Sequence, residues 1–191
     1  QVLPDRIEAG SFAIIGALLA RRLRITHCRP EHLEALLNLL NEVGGRVKTS
    51  GQSVTITVSR SKLRATKIKT HEYPGFPTDL QAPLAVLLTQ TVGASAIFET
   101  IFEGRMAYAS TLVKMGAKIE ILDPHRLKII GPTPLKGQVV TSPDLRAGLA
   151  YLLAGLVAKG RTVVHNIHCI DRGYERIDER LRALGLMIQR F

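Results

Sequence analysis

Tryptophan is absent from this sequence of 191 residues, and aromatic residues make up only 5% of it. Proteins that bind single-stranded nucleic acid stack the bases on aromatic side chains, so the chain is poorly supplied for that function. Cysteine is scarce too, since only Cys28 and Cys169 are present. With no secretion signal in view, two free thiols in a reducing compartment are expected rather than a disulfide scaffold.

Long apolar runs are also missing, because none reaches the roughly 18 to 20 residues that cross a bilayer. Residues 1–5 show no basic region followed by an apolar one, so no signal peptide is visible. Hydrophobic residues make up 46% of the chain and charged residues 22%, which is ordinary for a globular protein. We therefore expect one cytoplasmic domain over residues 1–191.

The formal net charge of +10 favours an anionic partner. The basic residues are nevertheless scattered over many segments, and helix-turn-helix, zinc-finger and RNA-binding signatures are not seen. A small phosphorylated ligand, or charge that is simply solvated, is therefore expected rather than nucleic acid.

A short pattern, Leu-x-x-x-Gly-x-x-(Val/Ile), occurs three times at intervals of about 70 residues. The copies are Leu40/Gly44/Val47, Leu112/Gly116/Ile119 and Leu181/Gly185/Ile188. Each copy predicts an amphipathic helix that ends at a left-handed glycine and is followed at once by a strand. The predicted helices cover 30–43, 105–115 and 174–184, and the strands begin near Arg46, Lys118 and Met187.

A second set of helices is apolar on nearly every side, which is typical of helices in a protein interior. They are predicted at 12–20, 84–92 and 149–158, each followed by a strand, at 23–27, 95–102 and 162–167. Further strands are predicted at 53–58, 63–70, 118–122, 126–130 and 137–141. These elements form about three βαβαββ repeats, over about 1–70, 71–136 and 137–191. The repeats predict an α/β fold with buried helices surrounded by sheets, rather than a solenoid.

Each buried helix begins close to an aspartate, namely Asp5, Asp79 or Asp144. A helix N-terminus carries free N–H groups and a partial positive charge, so it holds carboxylates and phosphates alike. The simplest interpretation is that all three aspartates are helix caps. Other residues near these starts also have capping spacing: Thr78 with Gln81, and Ser142 before Pro143.

Pseudo-symmetric repeats would bring these helix starts to one face, where Arg6, Arg146 and Arg172 would form an anion-binding site. The loop at 73–79, with two prolines and a glycine, can hold Asp79 in a fixed place. No metal is expected. The spacing His165-x-x-His168 would place the two imidazoles on opposite faces of a strand.

Several segments resemble the enolpyruvyl transferases, and among them the group that acts on UDP-N-acetylglucosamine. They are PDRIEAG (4–10), GFPTDLQAP (75–83), ETIFEGR (99–105), SPDLRAG (142–148) and IDRGYERIDERLRALG (170–185). The resemblance implies an inside-out α/β barrel domain with inner helices. It also implies transfer of the enolpyruvyl group of phosphoenolpyruvate to the 3-hydroxyl of the sugar nucleotide, an early step of peptidoglycan precursor synthesis, without metal or cofactor.

The resemblance also assigns roles by position. It makes Asp79 the residue that binds the sugar and deprotonates its hydroxyl, and Arg172 the arginine that clamps phosphoenolpyruvate. Ile101, with Phe102 beside it, corresponds to a backbone contact with the sugar nucleotide. The remaining predicted substrate-binding residues are Arg105, Asp144 and Arg146 by resemblance, and Arg6 from the convergence of helix starts.

The same resemblance implies a second domain, whose mobile loop carries a cysteine acid and which this chain does not contain. We therefore expect the chain to be inactive without that domain. Two alternatives stay open: a non-catalytic sugar-nucleotide-binding or structural module of the same fold, and an enolpyruvyl transferase that acts on shikimate 3-phosphate.

Overall fold

Helices alternate with strands along residues 2–59 and 62–191, the part of the chain that the computed structural model describes. The helices are α1 (Arg6–Leu19), α2 (Glu34–Glu42), α3 (Gln81–Leu88), α4 (Tyr108–Lys114), α5 (Leu145–Val157), α6 (His168–Asp171) and α7 (Ile177–Ala183). The strands are β1 (Arg22–Thr26), β2 (Arg46–Ser50), β3 (Ser53–Thr57), β4 (Lys67–Lys69), β5 (Gly93–Phe98), β6 (Lys118–Asp123), β7 (Arg126–Gly131), β8 (Val139–Thr141) and β9 (Val163–His165). Short 3₁₀ turns lie at Pro30–His32 and Thr78–Leu80.

Helices α1, α3 and α5 form the interior and contact one another. Every residue of α3 is buried, as expected for a helix that is apolar on all sides. The strands lie outside them: α1 packs on β1 and β3, α3 on β5 and β7, and α5 on β9. The predicted arrangement of buried helices surrounded by sheets is confirmed. Within the described part of the chain, no helix combines the length and the apolar character that a bilayer crossing needs.

The strands form three sheets with a repeated order. In the first sheet the order β1-β3-β2 is antiparallel, and β5-β7-β6 repeats it in the second sheet. Strand β4 pairs in parallel with β5 across α3, and β8 pairs in parallel with β9 across α5. The second repeat therefore contains a complete βαβαββ unit, from β4 to β7.

The repeated leucine and glycine end the outer helices in the same way three times. Gly44, Gly116 and Gly185 have φ values of 99°, 101° and 85°, in the left-handed region that favours glycine. The amide after each glycine donates to the repeat leucine carbonyl, in the pairs Gly45–Leu40 (2.8 Å), Ala117–Leu112 (2.9 Å) and Leu186–Leu181 (3.2 Å). This is the Schellman arrangement, and all three leucines are fully buried.

The strand predicted to begin near Met187 is wrong, because the described residues after Leu186 form no strand and Met187 is 98% exposed. In the first two repeats the corresponding strands, β2 and β6, pair with a return strand, whereas residues 187–191 pair with no strand of the described chain. A lone strand leaves its backbone groups unpaired, so this segment stays irregular. The strand predicted at 162–167 is also shorter: β9 ends at His165 and His168 begins α6.

Candidate functional site

The start of α3 lies against α1. The 3₁₀ turn Thr78–Leu80 leads directly into α3 and contacts α1. The approach is close enough that a Cβ on Gly10 would lie 2.5 Å from Cδ1 of Leu80, so only glycine fits at that position without movement. Because α5 packs on both helices, side chains from separate repeats meet near this turn.

The three aspartates at the helix starts do not act alike. Asp5 caps α1 by accepting the amides of Ile7 (2.7 Å) and Glu8 (3.1 Å). That cap starts α1 at Arg6, well before the predicted residue 12. Asp144 likewise caps α5, accepting the amides of Arg146 (2.7 Å) and Ala147 (3.0 Å). Asp79 makes no cap hydrogen bond, so its carboxylate is available for other contacts.

The capping prediction for Ser142 and Pro143 is wrong, since α5 begins at Leu145 and Asp144 is its cap. The Ser142 hydroxyl instead donates to the Asp144 carbonyl at 2.8 Å. A carboxylate two residues nearer the helix accepts two amides at once, and this leaves the serine outside the helix.

Asp79 forms ion pairs with two arginines that come from different segments. The guanidinium groups of Arg105 (Nη1, 3.2 Å) and Arg146 (Nε) both donate to Oδ1 of Asp79. The exposed fractions of the three side chains are 29% for Asp79, 17% for Arg105 and 32% for Arg146, so the cluster is half-buried and open on one side. Within the described part of the chain, Oδ2 of Asp79 accepts no hydrogen bond. One carboxylate oxygen is thus free to accept a proton or a hydroxyl group.

The predicted residues Ile101 and Phe102 lie beside this cluster. The Arg105 guanidinium is stacked 4.6 Å from the centre of the Phe102 ring, and the ring is exposed. The backbone amides of Ile101 and Phe102 both donate to the carboxylate of Glu99, at 2.7 and 3.2 Å. These contacts place the 101–105 loop next to Asp79.

Glu99 is a fully buried carboxylate, and no role for it was expected from the sequence. It accepts hydrogen bonds from Thr70 Oγ1 (2.9 Å), Thr78 Oγ1 (2.7 Å), Gln81 Nε2 (2.6 Å), Ile101 N (2.7 Å) and Phe102 N (3.2 Å). The capping box predicted for Thr78 and Gln81 is therefore wrong, because both side chains point to Glu99. The available signal was an acidic residue directly after the apolar strand β5, where a buried charge needs several partners.

Tyr108 lies in the same buried region. Its hydroxyl group has no hydrogen-bond partner within the described residues, and the same is true of Oε1 of Gln81. Burial raises the pKa of Tyr108 far above its ordinary value, and the charge of Glu99 raises it further. Tyr108 therefore stays neutral over the whole physiological range.

Arg172 and Arg6 do not contact Asp79. Arg172 is exposed and forms no ion pair with the described residues. Its neighbour Gly173 lies against Leu145, the first residue of α5, so Arg172 lies at the same end of α5 as Arg146. Arg6 stacks 5.1 Å from the ring of Tyr73, in the loop that precedes Asp79.

Tyr174 connects the Arg172 segment to the helix starts. Its hydroxyl group forms a buried hydrogen bond of 2.8 Å with Ser11 of α1. Burial raises the pKa of Tyr174 to about 12, an effect that the Ser11 hydrogen bond opposes. The charges of Asp5 and Asp79 raise it and that of Arg146 lowers it, so this ring lies within electrostatic reach of the Asp79 cluster.

Two other features lie apart from this cluster. Among residues 2–59 and 62–191, no group of three or more histidine, cysteine or acidic side chains is arranged to hold a metal ion. A cleft of about 710 Å³ lies between α5, β9 and residues 186–191, and none of the predicted site residues lines it.

The chain is similar in sequence to a known protein family. The family model described as EPSP synthase (3-phosphoshikimate 1-carboxyvinyltransferase) matches residues 1–181. Proteins named UDP-N-acetylglucosamine 1-carboxyvinyltransferase are similar over the whole chain: 47% identical in Koribacter versatilis and 45% in Helicobacter pylori. The chain spans 43% and 44% of the length of these two relatives.

Solved structures agree with the fold. The enolpyruvyl transferase NikO from Streptomyces tendae matches with a TM-score of 0.88 at 32% identity, over 98% of this chain and 44% of that one. EPSP synthase from Acinetobacter baumannii matches with a TM-score of 0.77 at 20% identity, over 100% of this chain and 45% of that one, which supports the fold alone. The α/β architecture with inner helices is confirmed by these neighbours. The chain therefore belongs to the enolpyruvyl transferase family, whose model is that of EPSP synthase.

Proposed function

We propose that this chain forms part of a transferase that moves the enolpyruvyl group of phosphoenolpyruvate to the 3-hydroxyl of UDP-N-acetylglucosamine. Support comes from the names of relatives that are 45–47% identical over the whole chain. The structural observation behind the proposal is that Asp79, alone among the three helix-start aspartates, is not a cap. Instead, Oδ1 of its carboxylate forms ion pairs with two arginines, and Oδ2 has no hydrogen-bond partner within the described residues.

In this proposal each group has one chemical task. Oδ2 of Asp79 takes the proton of the sugar hydroxyl as the hydroxyl oxygen bonds to C2 of phosphoenolpyruvate. Arg172, exposed and unpaired within the described chain, neutralises the carboxylate or phosphate of that substrate. Phosphate then leaves the tetrahedral ketal, and the methylene carbon loses the proton it gained in the addition. Ile101, Phe102 and Arg105 shape the sugar side of the site.

The chain supplies one part of the site in this proposal, and a second domain supplies the acid that protonates the methylene carbon. The lengths of the relatives agree, because the chain spans less than half of each. A single domain over 1–191 with three repeats, a cytoplasmic location and a role in peptidoglycan precursor synthesis belong to the same proposal. The substrate-binding roles of Asp144, Arg146 and Arg6 also stay predictions.

Exchanging Asp79 for asparagine tests the catalytic assignment. The chain is placed in the corresponding segment of the Koribacter versatilis relative, and phosphate release from phosphoenolpyruvate is followed with UDP-N-acetylglucosamine present. Asp79→Asn keeps the size of the side chain but cannot accept the proton, so turnover falls by about 10² to 10⁴ with the fold intact. Asp5→Asn, the same change at a capping aspartate, keeps full turnover because asparagine caps equally well. Near-normal turnover of Asp79→Asn would refute the assignment.

Calorimetry separates this function from the alternatives. We expect heat of binding when UDP-N-acetylglucosamine is titrated into the chain or the chimaera, and none with shikimate 3-phosphate. The reverse pattern would identify a shikimate-type transferase. Binding of the sugar nucleotide without any turnover in the chimaera would indicate a non-catalytic module.

A further inference from the structure

We propose that Glu99 is a positioning residue that holds the Asp79 turn and the 101–105 loop in one fixed arrangement, and so sets the affinity for the sugar nucleotide. This inference rests on the proposed function, because it concerns the same site. Glu99 itself is fully buried, so it acts only through the residues that line the site.

The two carboxylate oxygens of Glu99 hold different segments. Oε2 accepts hydrogen bonds from Thr78 and Gln81, the residues one before and two after Asp79. Oε1 accepts the backbone amides of Ile101 and Phe102. A single side chain therefore fixes both sides of the site, and losing it would release both.

The position of Glu99 is fixed by the sheet beneath it. It directly follows β5, its amide donates to the carbonyl of His125 at 2.8 Å, and its own carbonyl lies 3.1 Å from Nδ1 of His125. Thr70 adds a third contact to Oε1 from the strand side, at 2.9 Å. The turn and the loop are thus tied to a rigid element, which is what a site of precise geometry requires.

The buried Glu99 contacts join the same two segments that an ion pair nearer the surface also joins. Arg105 and Asp79 join the same loop and turn by a half-buried ion pair. An ion pair that is partly exposed gives a loose constraint on its own. Five hydrogen bonds to a charged and fully buried acceptor give a much stronger one.

Glu99→Ala removes all five contacts and leaves the buried donors of Thr78 and Gln81 without their acceptor. We expect the affinity for UDP-N-acetylglucosamine to fall at least tenfold in calorimetry. Amide exchange at Ile101 and Phe102 should rise by at least tenfold as well, because their hydrogen-bond acceptor is lost. Glu99→Gln should lose less than threefold in affinity. Glutamine has the same side-chain length as glutamate. Because Gln81 can flip its amide and the Thr78 hydroxyl can turn, most of the hydrogen bonds re-form.

Thr78→Val serves where Glu99→Ala does not fold, since it removes one donor at constant side-chain volume. It should weaken binding several-fold. Thr133→Val is the matched control, because the Thr133 hydroxyl donates to the Thr89 carbonyl at 3.1 Å in a buried place beyond the other end of α3. It should lower the melting temperature without changing the affinity.

A double-mutant cycle separates positioning from a purely structural role. If Glu99 positions Asp79 through Thr78, then Thr78→Val adds less than twofold to the loss in affinity of an Asp79→Asn background. Its effect on the melting temperature should be the same in both backgrounds. Fully additive losses for Thr78→Val, or affinity and exchange of Glu99→Ala within twofold of wild type, would overturn the inference. Failure of the wild-type chimaera to bind the sugar nucleotide would instead refute the proposed function, and the exchange data would still decide whether Glu99 couples the two segments.

Discussion

The hydrogen bond between Ser11 and Tyr174 joins α1 to the segment that carries Arg172, over 163 positions of the chain. Both side chains are buried, at 0% and 1% exposure, so neither hydroxyl group can turn to water. Tyr174→Phe leaves the Ser11 hydroxyl without a partner, at a cost of about 1–3 kcal/mol in the free energy of unfolding. Ser11→Ala does the same to the tyrosine hydroxyl. Removing both hydroxyl groups costs less than about 1 kcal/mol, because no orphan remains.

Urea unfolding followed by circular dichroism measures these free energies. With a slope of about 1–3 kcal/mol per molar urea, a loss of about 2 kcal/mol lowers the midpoint by roughly 1 M. Tyr73→Phe is the matched control, since the Tyr73 side chain is largely exposed and the change should leave the midpoint unchanged. A double variant whose cost equals the sum of the two single costs would refute the assignment of this hydrogen bond as a coupled, buried pair.

Two further predictions concern the stability of the same domain. The pKa of Tyr174 is raised to about 12 in the folded chain, and that of Tyr108 is also raised. The neutral tyrosines therefore contribute fully to the free energy of unfolding below the ordinary tyrosine pKa near 10, and this contribution is lost as the pH rises toward 12. Tyr174 alone accounts for about 2–3 kcal/mol of that loss, so urea midpoints should fall between pH 10 and 12 and fall less steeply in Tyr174→Phe; a flat profile would contradict this. Asp5→Ala removes the cap of α1 and should lower the free energy of unfolding by about 1 kcal/mol in urea titration, while Asp5→Asn should not; equal stabilities would mean that the cap contributes nothing.

The interior of the fold could be predicted from the sequence because its signals are local. A helix such as α3, apolar on all sides, has only one stable place. The glycine after α2 or α4 fixes the end of a helix through its own backbone conformation. Strand β2 and strand β6 were placed correctly for the same reason, since each follows such a glycine within a few residues.

The errors lie where a residue depends on partners that are distant in the sequence. The segment after Leu186 has the pattern of β2 and β6 but lacks a neighbouring strand, and a strand pattern alone does not supply one. Thr78 and Gln81 have the spacing of a capping box, yet a buried carboxylate near them in space is a stronger acceptor. The role of Glu99 could not be read from spacing, because its donors come from three separate segments.

Among the candidate site residues, Asp79, Arg105 and Arg146 are brought into contact by packing that the repeat alone does not specify. The prediction that helix starts converge led to Arg146, and the family resemblance led to Arg105. Neither indicated that both arginines would share one oxygen of Asp79. That detail depends on side-chain conformations in a half-buried cluster.

The contacts among α1, α3 and α5 have a consequence for how the chain is made. The ribosome releases α1 before α5 and Tyr174, which pack on it or bond to it and follow more than 120 positions later. During that interval β1, α2, β3 and α3 can cover only part of its apolar surface. Newly made chains should therefore expose part of α1 until α5 is complete, and this is when they are most prone to aggregate and to bind chaperones.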